Sequence, residues 1–318
     1  MTMKRTENHK TAILVNLTAN NGRAEKRWRK IEHSVLSNFE KTPIVVCYTT
    51  PFNIEKYLVH LIDDERVDSV ISAGGDGSLN YVLNRLMHLE NVRTEEFFLG
   101  GIGLGSSNDF VKPKRNFIQN IPVRMDIENA VLSDIGMVEF NSKEGYPKTK
   151  FFIANSSLGV TAQANYLFNQ GDWVINFLKN KSTDLAIIYT ALKTIFSFKN
   201  ILVRLTSEEI DQEMILSNLA VLKNPHVSGD FQYDQNIKSN DGKLGLNICE
   251  NMDKFELVKT LIDLNKGKFS GKPKRHSSFV EKLEVKPPGF VALEMDGEVE
   301  LGKDFTFSVA SKKIKLMN

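Results

Sequence analysis

The stretch Val67–Asn80, V-D-S-V-I-S-A-G-G-D-G-S-L-N, decides the predicted fold. Its β-branched residues Val67, Val70 and Ile71 suit a buried strand, and the three glycines that follow allow close approach of the backbone to a bound group. Ser78 is then predicted to cap a helix. The apolar stripe of that helix consists of Leu79, Val82, Leu83 and Leu86. The stretch therefore predicts a strand that ends in a tight turn and continues as a helix.

This turn has a chemical interpretation and a purely geometric one. Backbone N–H groups at a helix start favour an anion, and Asp76 is placed to hold a metal ion beside it. Glycine-rich strand-to-helix turns also form for geometric reasons alone. The glycine spacing favours phosphate binding, but this stretch by itself leaves both interpretations open.

Composition limits the class of protein. A chain of 318 residues exceeds the usual size of one hydrophobic core, so two domains are expected. With a net charge of +2 and 25% charged residues, no overall drive toward nucleic acid exists, and nucleic acid is not an expected partner. Cys47 and Cys249 lie in separate apolar runs, which favours buried thiols in a reducing compartment. No window reaches the length of a membrane-spanning helix, so we expect a cytoplasmic protein with at most peripheral membrane contact.

The first part of the chain alternates short apolar runs with amphipathic segments. Strands are predicted at Ala12–Leu17, Pro43–Tyr48, Val67–Gly74 and Phe97–Ile102, with helices between them. This repeat predicts a doubly wound α/β nucleotide-binding domain over residues 1–130.

After about Met125 the sequence changes to period-two alternation, which predicts an antiparallel β-sandwich over residues 131–307. Two apolar helices are predicted at Trp173–Leu178 and Leu185–Phe198. Their apolar faces either cover the core of the sandwich, which is the commoner case, or line an acyl-chain groove. The two domains are expected to enclose an interdomain cleft.

A basic run follows later in this second domain. It consists of Lys266, Lys268, Lys272, Lys274, Arg275 and His276, with no acidic residue among them. Such a run is usually a solvated loop, but it also suits contact with anionic lipid headgroups.

Three further stretches carry candidate chemistry. Gly103–Phe110 ends in Asn108 and Asp109, which suit ribose, phosphate or metal-bound water, or else an Asx-type helix cap. Asp134 precedes Gly136 and is either a turn residue or a carboxylate that shares a metal with Asp76 and Asp109. Glu294–Glu298 places a carboxylate pair at a tight turn, where a plain hairpin loop is the simpler explanation.

Together these stretches resemble the diacylglycerol kinase catalytic family of lipid kinases, relatives of sphingosine kinases and NAD kinases. The family pattern Gly-Gly-Asp-Gly-Thr is met at Gly74–Ser78, and Leu-Gly-Thr-Gly-Asn-Asp-Phe at Leu104–Phe110 with two serines in place of Thr and Gly. The matches continue, in the family's order, at 152–159, 241–244 and 296–298. Ordered matches over nearly the whole chain are far more specific than any one of them.

The resemblance implies roles for particular residues. The implied ATP site consists of Asn16, Thr18, Gly74, Gly75, Gly77, Ser78, Ser106, Ser107 and Asn108. Catalytic Mg²⁺ would be organised by Asp76, Asp109 and Asp134. Asp296 would be the base that accepts the proton of the lipid hydroxyl, with Glu298 supporting it. Asp241 and the backbone near Leu244 resemble the family's structural cation site, and the tail 308–318 is a candidate to return to the first domain.

The sequence departs from the family pattern in the first loop and near Asp241. Leu17 stands where the family usually has Pro, Asn20–Gly22 replaces Ser-Gly-Lys, and His226–Asp230 replaces a more glycine-rich stretch. These changes put the nucleotide loop and the structural cation in doubt, and they leave the acidic positions intact.

The function predicted from the resemblance is an ATP-dependent lipid kinase that acts at an anionic membrane surface. The alternatives are a kinase of a soluble alcohol, such as a NAD kinase or a sugar-phosphate kinase, and a catalytically silent protein that binds lipid or nucleotide. The sequence does not name the acceptor lipid, and the oligomeric state, a homodimer included, stays open.

Overall fold

The structure is a computed structural model that describes residues 9–39, 43–50, 53–90 and 92–318. The described residues divide into two compact units. Unit 1 lies within Met1–Ile135 and Ser311–Asn318, and unit 2 within Gly136–Ala310. No helix in the described ranges is long and apolar enough to cross a membrane.

Unit 1 alternates strands and helices up to its fourth strand. Its elements before Ile135 are β1 (Thr11–Val15), α1 (Arg23–Leu36), β2 (Ile44–Tyr48), α2 (Ile54–Asp63), β3 (Ser69–Gly74), α3 (Asp76–His88), β4 (Phe98–Gly103), β5 (Asn116–Ile118), β6 (Ile121–Arg124) and β7 (Val131–Ser133). Strands β2, β1, β3 and β4 are parallel and adjacent in that order. The predicted doubly wound α/β fold is confirmed.

The core of unit 1 explains why these segments form strands and helices. β1, β3 and β4 are buried along their whole length, as expected for strands that helices cover on both faces. Helix α1 presents Trp28, Ile31 and Val35 at helical spacing to Ile13 and Ile71 of the sheet. The predicted stripe of α3 is likewise buried.

Unit 2 consists mainly of antiparallel strands. Its elements are β8 (Gly136–Ser142), β9 (Pro147–Phe152), β10 (Asn155–Gly159), α4 (Val160–Gln170), α5 (Trp173–Lys181), α6 (Thr183–Ser197), β11 (Ile201–Thr206), β12 (Asp211–Leu222), β13 (His226–Val227), β14 (Phe231–Gln232), β15 (Leu244–Glu250), α7 (Lys254–Asn265), β16 (Arg275–Val280), β17 (Lys282–Lys286), β18 (Val291–Met295) and β19 (Glu298–Val309).

The strand pairings of unit 2 close on themselves. The order is β10, β18, β19, β17, β11 and β12, and β12 pairs with β10 again. Because the sheet rolls up in this way, the predicted sandwich is realised as a sandwich-like barrel whose inward residues, such as Leu219, Leu293 and Phe307, form one core. The predicted antiparallel second domain is confirmed.

The end of the chain belongs to unit 1. Strand β20 (Ile314–Leu316) lies parallel to the first half of β4, whereas β6 pairs with the second half. Arg124 Nε donates to the carbonyl of Met317 at 2.8 Å, and the backbone N–H groups of Met125 and Asp126 donate to the carbonyl of Asn318. In the sequence, the boundaries between the two units thus follow Ile135 and Ala310, a few residues later than the predicted limits of 130 and 307.

The apolar stripe predicted for α6 covers the core of unit 2 only in part. Ile195 is buried in a core cluster of unit 2, whereas Leu185, Ile188 and Phe196 are exposed. The commoner interpretation of this helix therefore holds for Ile195 and not for the exposed members of the stripe. An open groove of about 450 Å³ lies where α6 ends and α7 begins, lined in part by Phe198 and Phe255. The alternative of an acyl-chain groove stays a prediction.

The basic run is partly neutralised by acidic neighbours. The pairs are Lys274 with Glu256 at 2.7 Å, Arg275 with Asp263 at 2.9 Å, and His276 with Glu250 at 2.9 Å. Lys274 and Arg275 of the predicted cationic patch are thus engaged in ion pairs within unit 2, and His276 is hydrogen-bonded to Glu250.

Candidate active site

Two glycine turns contact each other at the carboxyl ends of β3 and β4. The N–H groups of Leu104 and Gly105 both donate to the carbonyl of Gly74, at 2.8 and 3.0 Å. A Cβ atom added to Gly105 would lie 2.3 Å from Gly75 Cα, closer than real Cβ atoms approach anything. Only glycine at Gly105 allows this contact, which brings the two sequence motifs together at the edge where α/β sheets bind ligands.

Helix α3 begins at the first of these turns. Its first residue is Asp76, and Gly75 precedes it as the N-cap without a side-chain cap. The first N–H groups of a helix have no partner within the helix and attract anions. Asp76 Oδ1 accepts the backbone N–H of Phe110 at 3.1 Å, which links the helix start to the second turn. The turn therefore combines an anion site with a fixed carboxylate.

Ser78 does not cap α3 as predicted, because the helix already begins at Asp76. Its Oγ instead accepts a hydrogen bond from Asn16 Nδ2 at 2.8 Å. Asn16 Oδ1 in turn accepts the backbone N–H of Thr18 at 3.1 Å and its hydroxyl at 2.7 Å. The loop after β1 is thus tied to the glycine turn, and three predicted nucleotide residues form one connected group.

The loop after β4 is shaped by Asn108, whose backbone is left-handed at φ 53°. Its Oδ1 accepts the N–H of Gly105 at 2.9 Å, and its Nδ2 donates to the carbonyl of Gly105 at 3.1 Å. Asn108 itself is buried, whereas Ser106 is exposed and Ser107 is half-buried. The serines are therefore the accessible members of this predicted motif.

The space between the two turns is about 10 Å³, which holds one water molecule at most and is too small for a phosphate group. An open groove of about 630 Å³ lies at the start of α1 and is lined by Asn20, Asn21, Gly22, Arg23, Lys26 and Arg27. Arg27 Nη1 also donates to the carbonyls of Leu104 and Gly105, at 3.0 and 2.8 Å.

These basic residues of α1 were missed in the sequence because no motif marks them. The only signal is their spacing, since Arg23, Lys26 and Arg27 recur three to four residues apart and share one helix face. The partner of Arg27 is a loop about eighty residues later in the chain.

Unit 2 holds Asp296 at the turn between β18 and β19. It is 3% exposed and has a left-handed backbone with φ 46°. Its carboxylate accepts three backbone N–H bonds, from Ile153 at 2.8 Å, Ala154 at 2.9 Å and Asn155 at 3.1 Å. Such bonds favour the ionised form and fix the direction of the carboxylate. They also join the two late sequence motifs, 152–159 and 296–298.

Glu294 is a second buried carboxylate beside this turn, and the sequence reasoning gave it no role. Its Oε2 accepts the hydroxyl of Ser157 at 2.7 Å, and its Oε1 accepts the N–H of Gly297 at 2.7 Å. Glu294 therefore fixes the turn that carries Asp296.

Glu298, predicted to support Asp296, begins β19. Loss of hydration raises its pKa, Lys150 opposes this effect, and Glu300 adds to it. Its side chain is nevertheless exposed. We therefore attribute no stability to this shift.

Comparison with known proteins agrees with this geometry. Residues 10–132 match the family model of the diacylglycerol kinase catalytic domain. The predicted family resemblance is confirmed. The family is a family of kinases, and to that extent the prediction of a kinase is supported.

Relatives of the whole chain are more distant. The chain is 24% identical over 82% of its length, and 82% of theirs, to a protein named "Probable lipid kinase YegS-like" from Xanthomonas euvesicatoria pv. vesicatoria, and 23% identical over the same shares to one of that name from Xanthomonas oryzae pv. oryzae. Two solved structures from Bacillus anthracis strain Sterne, one named "a putative diacylglycerol kinase" and one named as a diacylglycerol kinase, have TM-scores of 0.71 and 0.66, with 18% and 16% identity over 98% of each chain. These structures support the two-domain fold.

The three carboxylates predicted to organise magnesium are not gathered into one site. Asp109 is buried and paired with Lys112 at 2.8 Å, and Asp134 is buried and paired with Lys313 at 2.8 Å. No group of three acidic, histidine or cysteine side chains within the described ranges suits a metal ion. The residues present therefore do not fit a three-carboxylate site, and Asp76 is the one predicted ligand at the glycine turn.

The predicted structural cation site at Asp241 and Leu244 is also different from expectation. The ammonium group of Lys223 donates to the carbonyls of Lys238 and Lys243 at 3.0 and 2.9 Å and lies 3.6 Å from Asp241 Oδ1. A protein cation thus stands among the oxygens that would surround a metal ion, which does not fit a metal at this position. Leu244 is buried at the start of β15.

Proposed function

We propose that this protein transfers the γ-phosphoryl group of ATP to a hydroxyl of diacylglycerol or a related lipid. The observation that carries the proposal is the contact between the turns at Gly75 and Gly105 at the start of α3. Kinases act mainly by positioning the phosphates and neutralising their charge. The positive end of α3 and the basic residues at the start of α1 supply both.

Within this proposal, unit 1 binds the phosphates of ATP. The backbone N–H groups at the start of α3 and the exposed Ser106 hydroxyl would donate to phosphate oxygens outside the turns. Magnesium is usually held by phosphates together with one or two carboxylates, and it neutralises charge on the phosphate oxygens. Asp76 is the candidate ligand.

Unit 2 would activate the acceptor. An alcohol is a weak nucleophile near neutral pH, so a carboxylate base that takes its proton assists attack on phosphorus. Asp296 is the candidate for this role because three backbone N–H groups fix the direction of its carboxylate.

The test is transfer of label from γ-labelled ATP to extracted membrane lipids, with each product identified by mass. A soluble set of acceptors, including NAD and glycerol, is assayed in parallel. We expect label in a phosphorylated lipid and none in the soluble acceptors. Label only in a soluble acceptor would replace the lipid proposal with the soluble-alcohol kinase, and ATP binding without turnover would indicate a silent binding protein.

A further inference from the structure

We propose that the exposed apolar face of α5, α6 and the start of α7 docks on the surface of an anionic lipid bilayer. This apolar helix surface consists of Trp173, Phe177, Leu185, Ile188, Phe196 and Phe255. The inference rests on the proposed function only in expecting a lipid acceptor, and it uses none of the residues assigned to phosphoryl transfer.

The exposure of these side chains is unusual for a protein surface. Trp173 is 81% exposed and Phe255 is 83% exposed. Trp173 and Phe177 are four residues apart on α5 and therefore share one helix face. Large exposed apolar patches mark sites that bind a partner or a membrane.

Helix α6 shows that this exposure is not incidental, because it exposes more of its large apolar side chains than it buries. The buried side chains among its described residues are Ala186, Thr190, Thr194 and Ile195, of which only Ile195 is large and apolar. The hydroxyls of Thr190 and Thr194 donate to the backbone carbonyls of Ala186 and Thr190, four residues earlier, each at 2.7 Å. An ordinary surface helix buries its large apolar side chains and exposes its polar ones. Helix α6 therefore presents its large apolar side chains to an apolar partner outside unit 2.

Charge selects a lipid bilayer as that partner. From Asp172 to Lys199 the sequence contains four lysines and two acidic residues. Lys193 pairs with Asp172, and Lys179 donates to the carbonyl of Phe168, so attraction to anionic lipid is assigned to Lys181, Lys199 and Lys254. Lys181 Nζ lies 4.8 Å from the centre of the Phe177 ring, and Lys254 Nζ lies 5.8 Å from that of Phe196. Aromatic side chains bordered by lysines suit the boundary of headgroups and acyl chains, and the lysines attract anionic lipid.

The protein contains its own reporter for this contact. Its two tryptophans are Trp28, which is 1% exposed, and Trp173. On addition of vesicles of phosphatidylcholine with phosphatidylglycerol, we expect the emission of Trp173 to shift to shorter wavelength, and much less with phosphatidylcholine alone. Phe177→Ala should weaken vesicle binding about tenfold, because it removes one large side chain from the bilayer.

Phe290→Ala is the matched control, because Phe290 is an exposed aromatic of unit 2 outside these helices. It should bind vesicles like the wild type. Equal binding by Phe177→Ala and the wild type would overturn the proposal. So would a loss of self-association in Phe177→Ala without lipid, since the surface would then join two copies of the chain.

Failure of the proposed function gives a different result. A short-chain diacylglycerol in monomeric solution needs no docking surface, so Phe177→Ala should phosphorylate it at the wild-type rate. A Trp173 shift without phosphorylation of any lipid would contradict the kinase proposal and leave the docking surface standing. Phosphorylation of the short-chain lipid without any Trp173 shift would contradict the docking surface and leave the kinase proposal standing.

A second inference comes from Lys223. We infer that its ammonium group replaces the structural cation of the family, so that the loop before β15 is held without a metal. The Lys223 side chain is 2% exposed, and its ammonium has two carbonyl oxygens and the Asp241 carboxylate around it. These are the oxygen ligands that a hard divalent cation would use, and a lysine charge at their centre repels such a cation.

Thermal unfolding without nucleotide tests this inference. The wild-type Tm should be the same with EDTA and with MgCl₂, and Lys223→Met should lower it by about 10 °C, because buried acceptors lose their charged donor. Lys238→Met is the matched control, since Lys238 has an exposed side chain and contributes only its carbonyl. A wild-type Tm that falls in EDTA and recovers with MgCl₂, or a Lys223→Met Tm equal to that of the control, would overturn it.

Discussion

Replacement of Gly105 by alanine is expected to reduce phosphoryl transfer at least about 100-fold and to lower the free energy of unfolding by about 2 kcal/mol. The added Cβ would lie 2.3 Å from Gly75 Cα and 3.2 Å from Gly75 N, so the backbones of the two turns must separate. Separation weakens the bonds that Leu104 and Gly105 donate to Gly74 and displaces the start of α3. Urea unfolding and the rate of transfer from ATP measure the two effects.

Alanine substitutions at two other glycines, Gly75 and Gly289, should give smaller effects, because an added Cβ atom is less crowded there. An alanine Cβ at Gly75 would lie 3.3 Å from Gly105 Cα, so Gly75→Ala should cause a smaller loss of both quantities. At Gly289 an added Cβ meets no atom within 4 Å, and Gly289→Ala should change stability by less than about 0.5 kcal/mol. Wild-type stability and activity in Gly105→Ala would show that the contact between the turns is not needed.

Replacement of Asp296 by asparagine is expected to have the largest effect in unit 2. The carboxylate accepts N–H bonds on both oxygens, and an amide would turn a donor toward at least one N–H group. We expect a loss of about 3 kcal/mol in the free energy of unfolding and of at least about 100-fold in the transfer rate per folded molecule. Asparagine tolerates the left-handed backbone of this position, so the turn itself is not strained.

Asp304→Asn is the matched control for this change. Asp304 also has a positive φ, 55°, but its carboxylate accepts a side-chain bond from Asn141 that an amide oxygen can replace. It should remain close to the wild type in both measurements. Two results for Asp296→Asn have different meanings: a destabilised variant with the wild-type rate per folded molecule would make Asp296 an anchor of the turn, whereas a stable and inactive variant would make it the base.

Local sequence signals predicted part of the elements of both units. Alternation of apolar runs with amphipathic segments places β1 to β4, because buried parallel strands must be apolar throughout. Period two indicated β11, β12 and β17 to β19 of unit 2 for the same kind of reason, whereas β8 to β10, β15, β16, α4 and α7 were not predicted. The start of α3 was placed three residues late, with the N-cap at Ser78 instead of Gly75, because a serine is a frequent N-cap and the sequence does not show that Ser78 is engaged by Asn16.

Ordered motifs also brought the right segments together. The turn at Gly74–Ser78 and the stretch Leu104–Phe110 do contact each other, and 152–159 does contact Asp296. The motifs did not predict the basic side chains that bind to these segments. Arg27, Lys112, Lys223 and Lys313 each hold a carbonyl or carboxylate of the predicted sites, and none lies in a motif.

The sequence by itself thus determined the class of each unit and the residues of the glycine turns, because strand and helix periods and glycine geometry are properties of neighbouring residues. The tertiary structure alone decided which carboxylates are already neutralised and which face of α6 is exposed. Periodicity shows that one face of a helix is apolar, but what covers that face depends on the path of the rest of the chain. In the same way, whether a carboxylate meets a lysine or a metal ion depends on residues distant in sequence, such as Lys313 beside Asp134.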